Sequence, residues 1–468
     1  MRTEQTFYDW EDELNAFENI HVNIYVNGAL CTKDLLLEKL CIYRDSTSLI
    51  SLSFIGKESF YSKIINHPDY LKNPTIKITL YSPYCYTKYK YLVLHGALWT
   101  GQNISYINDR VETKCTARKL EFFTDRQCRI IKEWYGCCND LDLYSFDHFS
   151  KNVEEITTYK ANKRILYIIK GELCDGFRKC IWIKYNKFKF KVDITKPNDS
   201  YEEPKFVKYS IEYNNKWGGI PNEEERKDIS LFLSFIIGTK MIKLGETHLD
   251  TKSITYKEYI SLNSLDIALL YMSSRQFYNT DYRRNDTEAI IKEIPKMLRR
   301  YFLLKDQYRL DEVFSILLIN SYLSFNFISY VTYIEMFATI EIGKKTIVSK
   351  ARFKEMSKRL KSVKNIPKSI SDKFQELNKM GIGKKVKKLL LKHKIDYSKY
   401  EDVFTIRGKV VHGEKVDIQE MYLASEKAKG LLTILTLKKL NYTGCIRNFT
   451  NNEMLISLKD MTEVRLED

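Results

Sequence analysis

Glycine and proline are scarce in this chain, with 18 and 8 among 468 residues. Together with the many Tyr and Phe residues, that scarcity excludes collagen-like and disordered low-complexity chains and fits a folded globular protein. None of the ten cysteines stands in a C-x-x-C pair, and Cys174 to Cys180 is too loosely spaced for a zinc site. No metal is expected, and the thiols read as reduced and structural. The N-terminal Met-Arg-Thr-Glu-Gln-Thr-Phe-Tyr-Asp-Trp lacks an apolar signal core, which with free-looking thiols leads to the expectation of a cytoplasmic protein. Val313 to Ile334 carries no charge and is long enough for a bilayer. Ser315, Asn320, Ser321, Ser324, Asn326, Ser329 and Thr332 make it too polar to face lipid. A buried helix, or two joined near Ser324-Phe325-Asn326, is expected, and no membrane association.

What is present is charge, unevenly placed. The formal charge is +16. Lys344 to Lys394 holds 18 basic residues against Glu355, Asp372 and Glu376, leaving 58 basic and 57 acidic residues elsewhere. A concentrated basic segment attracts polyphosphate, so RNA or DNA is the expected partner. The alternative is a solvated lysine-rich helical pair that binds nothing.

Length predicts two domains. Residues 1–213 show period-two alternation, as in Val22, Ile24 and Val26 before the turn-forming Asn27-Gly28, then Ile50, Leu52 and Phe54, Ile76, Ile78 and Leu80, and Phe188, Phe190 and Val192. This half reads as a β-rich antiparallel sandwich or curved sheet, with a short helix around Asp125 to Tyr135. The polar stretch from Asn214 to Asn222 marks the boundary. Helical spacing then covers Leu231 to Met241, Thr287 to Phe302, Asp311 to Ile342 and Gln419 to Leu440, where Met421, Ala424, Ala428, Leu431 and Leu435 share one face. The fold class is therefore α+β. A β-rich domain precedes an all-α bundle over 222–445, with 446–468 as a C-terminal tail.

Arg407-Gly408-Lys409-Val410-Val411-His412 precedes the last helix, and Gly413 behind the histidine marks a helix end or turn. Arginine offers planar paired donors for a phosphate, and histidine exchanges protons near neutrality. Together they suit attack of an RNA 2′-hydroxyl on its neighbouring phosphate, a reaction that needs no metal. With Ser329 to Phe337 and Ile406 to Gly413, the C-terminal half resembles the ApeA-like HEPN proteins of bacterial phage defence. Leu92 to Trp99 is similar to the ApeA N-terminal domain. The resemblance implies a metal-independent endoribonuclease with Arg407 and His412 catalytic, acting in abortive infection as a homodimer whose two motifs line one cleft. Transfer RNA or message would be the substrate, and a phage-derived trigger would be sensed by the β-rich half. Gly408 departs from the family pattern, which has Asn, Asp or His there, while Lys409 supplies compensating charge.

Glu335 would hold Arg407 or orient His412 across the bundle, its alternative being a helix residue emerging into solvent. Lys384, Lys385, Lys387, Lys388 and Lys392 are candidates for the RNA backbone. Gly381-Ile382-Gly383-Lys384-Lys385 lacks the earlier glycine and following Ser or Thr of a phosphate loop, so its glycines mark a helix break and no cofactor is expected. His95 and His248, the latter beside Glu246, read as packing or turn residues. Two rival readings remain: a catalytically inactive HEPN-fold RNA-binding or scaffold protein, and a DNA-binding regulator.

Overall fold

The computed structural model describes residues 17–44, 49–57, 60–68, 75–81, 91–105, 110–123, 128–138, 154–160, 163–169, 178–195, 206–250, 254–270, 277, 287–319, 322–343, 348–361, 380–451 and 454–465. Two compact units divide the chain. Met1–Lys227 with Lys240–Ser273 forms a sheet unit, and Asp228–Thr239 with Ser274–Asp468 forms a helical one.

The strands run β1 (Phe17–Val26), β2 (Ala29–Arg44), β3 (Ile50–Gly56), β4 (Thr75–Tyr81), β5 (Tyr91–His95), β6 (Leu98–Ser105) and β7 (Arg110–Ala117). They continue as β8 (Lys119–Phe123), β9 (Ile130–Cys138), β10 (Glu154–Lys160), β11 (Lys163–Ile169), β12 (Arg178–Tyr185), β13 (Phe188–Thr195) and β14 (Phe206–Asn214). After the boundary helix come β15 (Ile242–Leu249) and β16 (Ile254–Ile260). Fourteen of these form one antiparallel sheet in the order β12-β13-β14-β9-β15-β16-β8-β5-β4-β1-β2-β3-β7-β6, and β10-β11 is a separate hairpin. The alternation read from sequence is realised: Ile20, Val22, Ile24 and Val26 are fully buried, as are Ile76, Ile78, Leu92 and Leu94. Asn27 and Gly28 both take positive φ, 47° and 89°, the backbone of a two-residue turn whose twist matches the flanking strands.

Only Arg118 separates β7 from β8, yet the two flank opposite sides of the β5-β4-β1-β2-β3 block. This chain segment turns a corner, so the sheet curls round a single core in which Phe54, Phe60, Trp99, Phe122 and Tyr259 all lie. A curved sheet, rather than two stacked ones, is the outcome. The helix expected around Asp125 to Tyr135 is instead the start of β9. Ile131, Trp134 and Tyr135 mimic helical spacing, but Tyr135 and Glu133 lie on one sheet face and Trp134 on the other, between β14 and β15.

The helical unit, taken by itself, uses most of α2 (Glu223–Ile237), α4 (Thr287–Tyr308), α5 (Leu310–Leu318), α6 (Leu323–Ile342), α7 (Lys350–Lys361), α8 (Ile382–Lys392), α9 (Glu401–Val411) and α10 (Ile418–Lys439). Two short helices, α1 (Tyr61–Ile65) and α3 (Ser264–Leu270), belong to the sheet unit. Phe232 and Phe235 of α2 stack among Tyr301, Phe314 and Phe277, with Phe235 and Phe314 rings parallel at 4.3 Å. The apolar run from Val313 is broken at Ile319, so it forms α5 and α6, and among the described residues no helix is long and apolar enough to cross a membrane.

Two boundaries differ from those expected. The helical region does not run unbroken from 222, because Lys240–Ser273 returns to the sheet, where β15 pairs with β9 and β16 with β8. Residues after 445 are not a tail. Cys445–Arg447, Met454–Ser457 and Thr462–Arg465 form β17, β18 and β19 of a three-stranded sheet, and Ile446, Leu455 and Leu458 are buried. In both segments the apolar residues are few and closely spaced, so only their partners reveal them as strands.

Candidate active site

Helix α9 carries both residues of the motif. Glu401 and Asp402 open it, favourable against the helix dipole, and the helix stops at His412 for a local reason. Gly413 adopts φ 72°, its N–H donates to Val410 O at 3.1 Å, and Glu414 N–H donates to Lys409 O at 2.9 Å. That is a Schellman motif with glycine at the left-handed position, and it makes His412 the capping residue. The imidazole is exposed, whereas Arg407 is about two-thirds covered. Five residues of helix separate them by about 7.5 Å along the axis.

Across the unit, Arg407 Nη2 donates to Glu335 Oε2 at 3.2 Å. The carboxylate side chain is 18 % exposed and sits in the middle of α6. Of the two readings of Glu335, the one in which it holds the arginine is therefore realised; no contact joins it to His412. Lys409 is half-buried beside them. A Cβ built on Gly408 would meet nothing within 4 Å, so the helix surface between Arg407 and His412 is open there.

The lysines of α8 are sorted by its periodicity. Val386, Leu389 and Leu390 are buried, and Lys384, Lys387, Lys388 and Lys392 are exposed on the other side, with Lys385 half-buried. Lys387 lies 4.3 Å over the Tyr397 ring and 4.0 Å from Glu401. Lys392 differs from its neighbours because its Nζ is 2.6 Å from Glu341. Only Lys384, Lys385 and Lys388 carry charge with no carboxylate partner among the described residues.

Glu341 is the residue that sequence reasoning missed. Its side chain is 2 % exposed, yet it takes Lys392 Nζ on one oxygen and Lys439 Nζ on the other, each at 2.6 Å, with His393 Nε2 at 3.2 Å. Burial pushes the carboxyl up, but hydrogen bonds from His393, Lys392 and Lys439 outweigh it and bring the pKa down to about 2. This one carboxylate ties α8 and α10 to α6. The signal was available, since Glu341 is the second charge of an otherwise apolar helix that ends only at Ile342.

The two other histidines of interest are both paired: His95 Nε2 is 2.6 Å from Glu121, and His248 Nε2 is 2.7 Å from Glu246. Among the described residues no group of His, Cys, Asp and Glu is arranged to hold a metal ion. Comparison with known proteins found no matching family model, no matching curated protein and no matching solved structure.

Proposed function

We propose that the helical unit is a HEPN-type, metal-independent endoribonuclease of the ApeA-like kind, acting in anti-phage abortive infection. The observation that carries this reading is the pairing of Arg407 with Glu335 beside an exposed, helix-capping His412. Glu335 holds the guanidinium in place without burying it, and a phosphate can compete for the remaining donors. His412 then removes the proton from the 2′-hydroxyl, which attacks the adjacent phosphorus. Arg407 neutralises the charge that grows on the phosphoryl oxygens. The 5′-oxygen leaves with a proton from the equivalent histidine of a second copy, giving a 2′,3′-cyclic phosphate end. Lys384, Lys385 and Lys388 supply backbone contacts to the RNA.

The test is incubation of purified protein with total RNA in EDTA, beside Arg407→Ala and His412→Ala. The expected outcome is cyclic-phosphate fragments from the parent and a loss of at least about 100-fold in either variant. Cleavage that persists in His412→Ala refutes the reading. A second reading, an RNA-binding protein without activity, draws on Gly408 and on the engagement of Arg407 by Glu335. It predicts RNA binding by the parent with no cutting.

A further inference from the structure

Four glutamates stand in one row across the sheet unit. Glu133 of β9 faces Glu246 of β15, which faces Glu258 of β16, which faces Glu121 of β8. Adjacent like charges are unfavourable unless countered. Here Arg226 reaches Glu133 at 2.9 Å and Glu246 at 3.6 Å, Lys243 reaches Glu246 at 2.6 Å, and Lys119 bridges Glu258 and Glu121 at 2.6 and 2.7 Å. Glu246 is thus held ionised, 9 % exposed, and its Oε1 takes His248 Nε2 at 2.7 Å.

On its other side the same imidazole hydrogen-bonds the thiol of Cys128, a free and partly exposed cysteine just before β9. Backbone pairing brings the two together: His248 faces Ile131, and Arg129 N–H donates to Leu249 O at 2.8 Å. The Tyr256 ring packs on the imidazole at 4.5 Å between centroids. The remaining charged groups nearby are Lys243, on the far oxygen of Glu246, and the Arg129–Asp250 pair at 3.3 Å.

A thiol, an imidazole and a buried carboxylate in line are the parts of an activated sulfur nucleophile. We infer that Cys128, His248 and Glu246 form a reactive thiol site in the sheet unit, whose substrate is a low-molecular-weight disulfide. Protonated, Cys128 Sγ donates to Ile130 O at 3.3 Å. Transfer of that proton to His248 leaves a thiolate beside an imidazolium. The thiolate attacks one sulfur of the disulfide, a new S–S bond forms at Cys128, and the old one breaks. The departing thiolate takes the proton from His248, so atoms and electrons balance with no other reagent. Interactions with Cys128 and Glu246 overcome burial and raise the imidazole pKa to about 9, which keeps that proton on His248 at neutral pH. This site is independent of the ribonuclease reading.

The experiment is alkylation of the native full chain with iodoacetamide from about pH 6 to 10, each cysteine followed by peptide mass spectrometry. The rate at Cys128 should reach half its maximum at least about one pH unit below Cys31 and Cys445, and His248→Gln should return it to their range. With glutathione disulfide at neutral pH, a mixed disulfide should form at Cys128. A midpoint shared with Cys31 and Cys445, one unmoved by His248→Gln, or no adduct at Cys128 would overturn the proposal.

Discussion

At the scale of the residue, Glu341 shows how a carboxylate becomes structural. Its pKa is brought from 4.5 to about 2 in the folded chain, so the stability it contributes is fully present above about pH 4.5 and is lost as pH falls toward 2. The shift is equivalent to about 3 kcal/mol at most. Glu341→Gln would leave Lys439 and His393 buried without a counter-charge, and we expect roughly 3 kcal/mol of destabilisation at neutral pH. Urea unfolding of both proteins over this acid range checks it. If parent and variant lose stability in parallel between pH 4.5 and 2, Glu341 is not the group responsible.

At the scale of the element, helix ends and helix faces do the positioning. Gly413 holds the left-handed turn that stops α9, so Gly413→Ala should cost about 1 kcal/mol and displace His412. Gly408 has no such duty, and Gly408→Ala should stabilise α9 by roughly 0.5 to 1 kcal/mol because the added methyl meets nothing. Paired thermal denaturation of the two variants separates a glycine needed for its backbone from one that is not; shifts of the same sign would contradict this. On α8, Lys384→Gln with Lys388→Gln should weaken RNA binding and lower the slope of log K against log salt by about 0.7 to 0.9 per lysine. An unchanged slope in a filter-binding titration would remove this face from the interface.

At the scale of the whole chain, the helical unit borrows a helix that precedes the β15–β16 return. Ile229 and Phe232 are fully buried, and Leu233 and Ile236 nearly so. A fragment spanning 274–468 therefore lacks part of its own core, and it should show no cooperative unfolding by circular dichroism. Full cooperativity in that fragment would mean that α2 is dispensable. The β15–β16 excursion also places Glu246, His248 and Glu258 beside β8 and β9, which precede them by more than a hundred residues.

Much of this was legible in the sequence because local physics acts on neighbouring residues. Alternation at Val22, Ile24 and Val26, the Asn27-Gly28 turn, the Val386-Leu389-Leu390 stripe opposite its lysines, and the helix stop at Gly413 all follow from spacing and backbone preference within a few positions. The α+β order and the prominence of Arg407, His412 and Glu335 followed from the same reading. What only the tertiary structure decided depends on groups far apart along the chain. Residues 130–138 carry helical spacing, yet they pair as a strand because β14 and β15 satisfy their backbone from both sides. The cations on Glu341 come from helices more than fifty residues apart, and Cys128 meets His248 across a sheet register. Burial and electrostatics depend on what closes around a group, and no local pattern specifies that.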